Sequence, residues 1–290
     1  MARSDAAPAD IAPLTIAELG DAEALVAEAG WNQTAADWRI FLDLGRVLAV
    51  RDSGRVVATA ATLPYQHFGW ISMVLVTKDF RRRGLASQLM RRCIDTLVAG
   101  GRTPVLDATP DGRQVYRGLG FLDTWGFQRL ARREPSGSAT DAPPPDRTTV
   151  APIADARWPE LCRYDATAFG SDRAGLLGKL RTRLPAATLV AERQGRIVGF
   201  LLGRDGRTSS QLGPLVAEDD AAARALLARA LGAVTGPVYI DLADAKADVA
   251  KWLDTLGFTS QRPLTRMVLG RSEGFDDPAR TYAVAGPELG

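Results

Sequence analysis

Residues 75–90 read LVTKDFRRRGLASQLM. An apolar, strand-like run passes through three arginines and a glycine into a helical pattern. Leu85, Leu89, Cys93 and Leu97 recur at i+4, with Met90 and Ile94 beside them, while Gln88, Arg91, Arg92 and Asp95 take the other face. Gly100-Gly101 stops the helix, and TPVLDA (103–108) reads as the next strand. A strand–helix–strand crossover therefore carries RRRGLA at its first junction. Taken alone, that hexapeptide has two readings. It is a solvated charge run, or it is a cradle for phosphates, in which unpaired helix amides meet an anion and a glycine admits it to the backbone.

Outward from this crossover the first half orders itself. Helical patterns at 22–29 and 34–44 come first. A hairpin follows, with strands at 47–51 and 56–63 around the turn DSG, then a strand at 70–76 after the turn YQHFG. Beyond TPVLDA, a short helix spans 112–116 before a last strand region. Residues 134–149, EPSGSATDAPPPDRTT, have no periodicity and the composition of a linker. The domains expected are 1–133 and 151–290, joined by 134–150.

The two halves repeat each other. LAVRDSGRVVATAAT (48–62) answers to LVAERQGRIVGFLLG (189–203), and each half later shows LGF. From hairpin glycine to LGF glycine is 66 residues in the first half and 62 in the second. Two copies of one α+β fold are predicted, the second with helices at 154–169, 172–180, 219–234 and 245–256 and strands at 209–216 and 238–242.

Composition narrows the chemistry. The 290 residues are 46% hydrophobic with a net charge of +2, so no nucleic-acid partner is expected. No apolar run approaches the ~20 residues of a membrane span, and residues 1–13 lack the apolar core of a signal peptide, so a cytoplasmic protein without a membrane partner is expected. Cys93 and Cys162 do not make a disulfide framework. His67 is the one histidine, and its place in PYQHFG reads as a solvated turn. A His-rich metal site is impossible, and no metal is expected.

The order strand, Arg81-x-x-Gly84-x-Ala86, helix, strand, Tyr116-x-x-x-Gly120-Phe121 resembles the GNAT superfamily of acyl-CoA-dependent N-acyltransferases. With GWNQT (30–34) and a second GNAT-like half, the chain looks like a tandem two-domain bacterial member. The resemblance implies two GNAT-like domains, each a mixed, mostly antiparallel sheet flanked by helices. It implies acetyl-CoA as co-substrate, with its pyrophosphate held by the amides of Arg81, Arg82, Arg83, Gly84, Leu85, Ala86 and Ser87. Its pantetheine arm would pair with the backbone of Met73, Val74, Leu75 and Val76 like an added strand. Tyr116 would be the general acid for the leaving thiolate, since a phenol of pKa about 10 is protonated at neutral pH. An ordinary half-buried helix aromatic is the other reading of Tyr116.

One departure from the family pattern concerns the base. Some members place a glutamate on the strand before the phosphate loop, where this chain reads WISMVLV (70–76). Asp107, in LDATPDG, is the nearest substitute, to hold the acceptor ammonium or relay its proton; equally it is a turn aspartate, and Asp111 an N-cap. Trp31, Asn32 and Gln33 of GWNQTAADW are candidates for the acceptor side, although Trp31 and Trp38 also read as core and Asn32 as an N-cap. Arg204 and Asp241 of the second half are further acceptor candidates, or charges of a degenerate scaffold. Where the first half has RRRGLA the second has LVAEDDAAARALL (215–227), whose acids repel phosphate. One CoA per chain is expected. The function expected is acetyl transfer to a primary amine on a small molecule, with a protein amine second, by a monomer or homodimer. The alternative is a non-catalytic acyl-CoA sensor.

Overall fold

The computed structural model describes residues 9–134 and 148–290; most of the 134–150 segment, and so the linker expected there, lies outside the described residues. The chain forms two compact units, 1–105 and 106–290.

In the first unit the order is β1 (Ile11–Pro13), α1 (Leu19–Glu28), α2 (Ala35–Leu44), β2 (Arg46–Asp52), β3 (Arg55–Pro64), β4 (Phe68–Val76), α3 (Leu85–Ala99) and the start of β5 (Thr103–Ala108). The sheet runs β1-β2-β3-β4-β5. Its neighbours are antiparallel except β4 and β5, which are parallel over Phe68–Trp70 and Thr103–Val105. That one parallel pair is the crossover read from the sequence, and α3 is its connection. The i+4 stripe of α3 buries Leu89, Met90, Cys93 and Leu97 against β3 and β4. His67 is exposed in the β3–β4 turn, and the turn of the β2–β3 hairpin places Ser53 and Gly54 at φ 50 and 80.

The second unit contains α4 (Pro110–Arg117), β6 (Phe121–Arg132), β7 (Thr149–Pro152), α5 (Trp158–Phe169), α6 (Ala174–Leu180), β8 (Leu189–Arg193), β9 (Arg196–Arg204), β10 (Ser210–Ala217), α7 (Asp220–Leu231), β11 (Val238–Ala243), α8 (Ala247–Thr255), β12 (Thr259–Leu269) and β13 (Thr281–Ala283). Its sheet runs β12-β6-β11-β13-β10-β9-β8-β7. The helix–strand order predicted for this half is present. The β8–β9 turn repeats the first hairpin's backbone, with Gln194 and Gly195 at φ 53 and 75. Compactness divides the chain earlier than the linker composition does. The reason is β6, which is hydrogen-bonded antiparallel to β12 along one edge and to β11 along the other. A strand from the first half of the sequence thus lies inside the second unit's sheet, second from its β12 end. The core of that unit gathers the inward residues of β8–β11 with Ala222, Ala223, Leu226, Leu227 and Ala230 of α7 and Val249 and Leu253 of α8.

Candidate functional site: a groove at the β4–α3 junction

A groove of about 500 Å³ in the first unit is lined by Val74, Leu75 and Val76 of β4, by Phe80, Arg81, Arg82, Gly84, Leu85, Ala86 and Ser87 of the turn and α3, and by Ala29 and Trp31. Its strand wall is irregular. Across β3, Thr59 stands opposite Leu75 but Ala61 opposite Ser72, so β4 carries one extra residue there. Met73 lies in this bulge at φ 52, and its carbonyl accepts a 2.9 Å hydrogen bond from the Thr59 hydroxyl. A bulge re-aims the strand and releases backbone groups from the ladder, which is what an extended ligand needs to pair as a strand. The parallel register of β4 with β5 reaches no further than Trp70 and Val105.

The helix wall ends in an open N-terminus. Gly84 is the residue before α3, at φ 77, and no side chain caps it. A side chain here would be strained by that φ. The first-turn amides of α3 are therefore offered to the groove, with the positive end of the helix dipole behind them.

The three arginines have separate fates. Arg81 donates Nε to the Val76 carbonyl at 3.1 Å and lies 3.7 Å from Glu28. Arg83 turns back, donating to the Asp79 carbonyl at 2.8 Å and stacking 4.5 Å over the Phe80 ring. Arg82 sits at φ 62, exposed, and among the described residues its side chain has no hydrogen bond or ion pair. Two arginines brace the turn and the third, Arg82, does not. Glu28 helps fix the turn, accepting from the Thr77 hydroxyl at 2.7 Å and the Lys78 amide at 2.6 Å. The Thr77 bond, with these cations, holds its carboxyl below the usual range. Positive φ at Met73 and Arg82, two ordinary side chains flanking one groove, is strain of the kind found at ligand clamps.

Of the residues expected on the acceptor side, Trp31 lines this groove, while Asn32 and Gln33 are buried. Asn32 is not the cap of α2: that place is Thr34, in a capping box with Asp37 (Thr34 N to Asp37 Oδ2, 2.8 Å). Trp38 is wholly buried core. Sequence reasoning missed Ala29 and Phe80. The Gly30 that ends α1, at φ 68, turns the chain there and was the available signal for Ala29.

Tyr116 belongs to the second unit, on α4. Its ring packs 6.2 Å from Phe121, and among the described residues its hydroxyl has no hydrogen-bond partner. Burial raises its pKa, so the phenol is protonated at neutral pH. Asp107 is the last residue but one of β5, its side chain fully buried, with each oxygen 3.0 Å from a nitrogen of Arg266, which also reaches Asp276 at 2.5 Å. Burial pushes the Asp107 carboxyl up to about 6 against the lowering pull of Arg266. Asp111 does not cap α4; the cap is Thr109, whose hydroxyl accepts from the Gly112 amide at 3.3 Å.

The acetyltransferase (GNAT) family pattern matches residues 18–121, and the acetyltransferase (GNAT) domain pattern matches residues 161–283. The chain belongs to the GNAT superfamily, as a tandem acyltransferase. An uncharacterized N-acetyltransferase of Bacillus subtilis, YitH, is 22% identical over 238 residues, 81% of this chain and 82% of that protein. A putative acetyltransferase from Pyrococcus horikoshii has a similar fold, with TM-score 0.75 at 20% identity, over 97% of this chain and 95% of that one. So does a tandem GNAT protein of the clavulanic acid biosynthesis pathway, with TM-score 0.64 at 14% identity, over 90% and 98%. A GNAT fold of this kind implies an acyl-CoA ligand. No helix among the described residues is long and apolar enough to cross a membrane.

The GNAT junction recurs in the second half with different chemistry. Asp219 caps α7, its Oδ1 accepting from the Ala222 amide at 2.9 Å and its Oδ2 pairing with Arg193 at 2.9 Å. Asp220 accepts from the Tyr282 hydroxyl at 2.6 Å. Here the helix amides that the first half leaves open already face a carboxylate. Arg204 and Asp241, expected near an acceptor, lie in the interior of this GNAT unit. Arg204 is ion-paired with Glu288. Asp241 forms a two-pronged pair with Arg129 (2.8 and 2.7 Å) and accepts from Gln211 at 3.0 Å.

Proposed function

We propose that this GNAT chain transfers an acetyl group from acetyl-CoA to a primary amine of a small molecule, with the first half, 1–133, as the CoA-binding domain and 151–290 as its degenerate copy. The observation that carries this reading is the groove in which a bulged strand edge, an uncapped helix N-terminus and an unpaired Arg82 line one space. A pantetheine amide chain suits the strand edge, and a pyrophosphate suits the helix amides. Acetyl is preferred to a longer acyl group only by the family's common practice.

The chemistry is direct attack. The neutral amine nitrogen forms a bond to the thioester carbonyl carbon, the tetrahedral intermediate collapses, and the C–S bond breaks. The thiolate takes a proton and the new amide nitrogen loses one. Tyr116 is the proposed donor to the thiolate; its burial keeps the proton available across the neutral range. Asp107, with its carboxyl raised to about 6, is the proposed relay for the amine proton. Trp31 follows the CoA side in this reading, because it lines the same groove as Ser87 and Val76. A cytoplasmic location and the absence of nucleic-acid and membrane partners are part of the same proposal.

Thiol release from acetyl-CoA over a panel of amines tests it. Wild type is expected to turn over at least one amine. Tyr116→Phe should lower kcat about 100-fold or more while leaving CoA affinity unchanged. Equal kcat in the two proteins would remove Tyr116 from the mechanism, and tight CoA binding without turnover on any amine would count against the acceptor class.

A further inference from the structure

The second half repeats the slot of the first, and the slot is full. β10 runs parallel to β11 only over Ser210–Leu212 and Val238–Ile240, three residues, as β4 does with β5. β10 also has its own irregularity, a register shift against β9 between Leu212 and Leu215. Beyond that point β13 enters between the two strands. Ala283 stands opposite Leu215 on one side and Leu242 on the other, antiparallel to both. The Val284 amide donates to the Asp241 carbonyl at 3.2 Å, and the Ala217 amide donates to the Arg280 carbonyl at 3.0 Å. The approach is as close as a backbone allows. Gly213 is at φ 154, and a Cβ there would fall 2.0 Å from the Val284 carbonyl oxygen.

Three further anchors hold residues 281–290 in place. At one end the Tyr282 hydroxyl reaches Asp220, the first residue of α7, the position that Leu85 holds in α3. At the other, Glu288 is ion-paired with Arg204, both under 5% exposed. Arg173, itself in a two-pronged pair with Asp165 (2.8 and 2.9 Å), donates to the Gly290 oxygen at 2.8 Å. Every residue from Thr281 to Gly290 except Pro287 is buried.

We infer that residues 281–290 occupy, in the second half, the place that the acyl-CoA arm takes in the first, so that the second half is a GNAT unit carrying a strand of its own chain as a permanent stand-in for its ligand. The strand supplies the backbone pairing that a pantetheine arm would supply. The carboxylate of Asp219 meets the helix amides in place of a pyrophosphate. The ion pair of Arg204 with Glu288 is the lock: pulling the segment out would strand a buried guanidinium. The segment is a fixture and not a lid. This inference rests on the reading of the first-half groove as the CoA site, and its test separates the two.

The test has two measurements on the full chain. Calorimetric titration with CoA is expected to give one equivalent for wild type and none for Gly84→Asp, which places a carboxylate and a strained φ at the open helix. Amide hydrogen exchange should show residues 281–285 as protected as β9 and unchanged by saturating CoA. Two equivalents bound by wild type, or faster exchange at 281–285 on adding CoA, would overturn the inference, because CoA would then be entering the second slot; a full equivalent still bound by Gly84→Asp with exchange unchanged would overturn the first-half reading instead. If wild type binds no CoA, the first-half reading fails on its own. Exchange then decides the strand: protection supports it, and exchange as fast as that of the 205–208 turn overturns it.

Discussion

Arg82 offers a perturbation in which stability and affinity move in opposite directions. The residue sits at φ 62 without a partner among the described residues, on the wall of the groove. Left-handed backbone costs a residue with a Cβ roughly 1–2 kcal/mol. Arg82→Gly removes that cost but adds about 0.5–1 kcal/mol of unfolded-chain entropy. The net effect on folding should lie between zero and about 1.5 kcal/mol of stabilisation. The lost cation acts on ligand binding. A fully exposed ion pair is worth about 0.2–1 kcal/mol and a charge-assisted hydrogen bond about 1.5–3. For a doubly charged pyrophosphate in an open groove, about 1–2 kcal/mol is expected, or a 5- to 30-fold rise in the Kd of CoA. Arg82→Gln separates the two effects: it loses the charge and keeps the strain, so it should share the affinity loss without the stabilisation. Urea titration reads the first effect and calorimetry at low and high salt reads the second, with the difference from wild type shrinking as salt screens the charge. A Kd unchanged in both variants would refute the assignment of Arg82 to phosphate. A clear destabilisation by glycine would refute the strain argument.

Other predictions follow from charges elsewhere. Asp241→Ala should destabilise the fold by about 3–5 kcal/mol, because Arg129 would be left buried without its carboxylate. A thermal shift shows this, and a normal melting temperature with only a raised KM would instead favour an acceptor contact. Glu18 is held down to about 2 by Arg51, from an ordinary 4.5. A depressed carboxylate stabilises the fold above its unfolded pKa and loses that contribution as the pH falls, here between about 4.5 and 2. With the pair partly exposed, the contribution is on the order of 1 kcal/mol. Glu18→Gln should therefore flatten the acid limb of stability in that window, read by denaturant titration at stepped pH.

The elements of both halves were legible because their signals are local. The i+4 stripe of α3, the paired hairpin turns and the LGF repeats depend on neighbours a few residues apart. The lining of the β4–α3 groove was legible for a related reason: strand edge, turn and helix N-terminus are contiguous from Val74 to Ser87. What the sequence hid needed distance. No pattern in 103–112 announces that Asp107 meets Arg266, a residue 159 positions later. Arg204 and Asp241 looked like site charges since a sequence cannot show that each has a buried partner 84 or 112 residues away. The caps failed on register: Asn32 and Asp111 are both good capping residues, but Thr34 and Thr109 sit at the turn into the helix.

The acids at 218–220 show how a correct local reading can still be half of the answer. Read alone, they repel phosphate, and a vacant, degenerate slot would satisfy that observation. An open slot would, however, leave the edges of β10 and β11 unpaired in the interior of a sheet, where each lost backbone hydrogen bond is costly. Losing a ligand from a GNAT unit therefore creates a structural debt as well as a functional loss. Thr281–Ala283 settle it by adding a strand, and the apolar character of 282–285 (YAVA), odd for an exposed segment, is what burial there requires. The acidic turn and the buried strand are then two parts of one change: the helix receives a carboxylate and the sheet receives a strand, each replacing one portion of the same missing molecule.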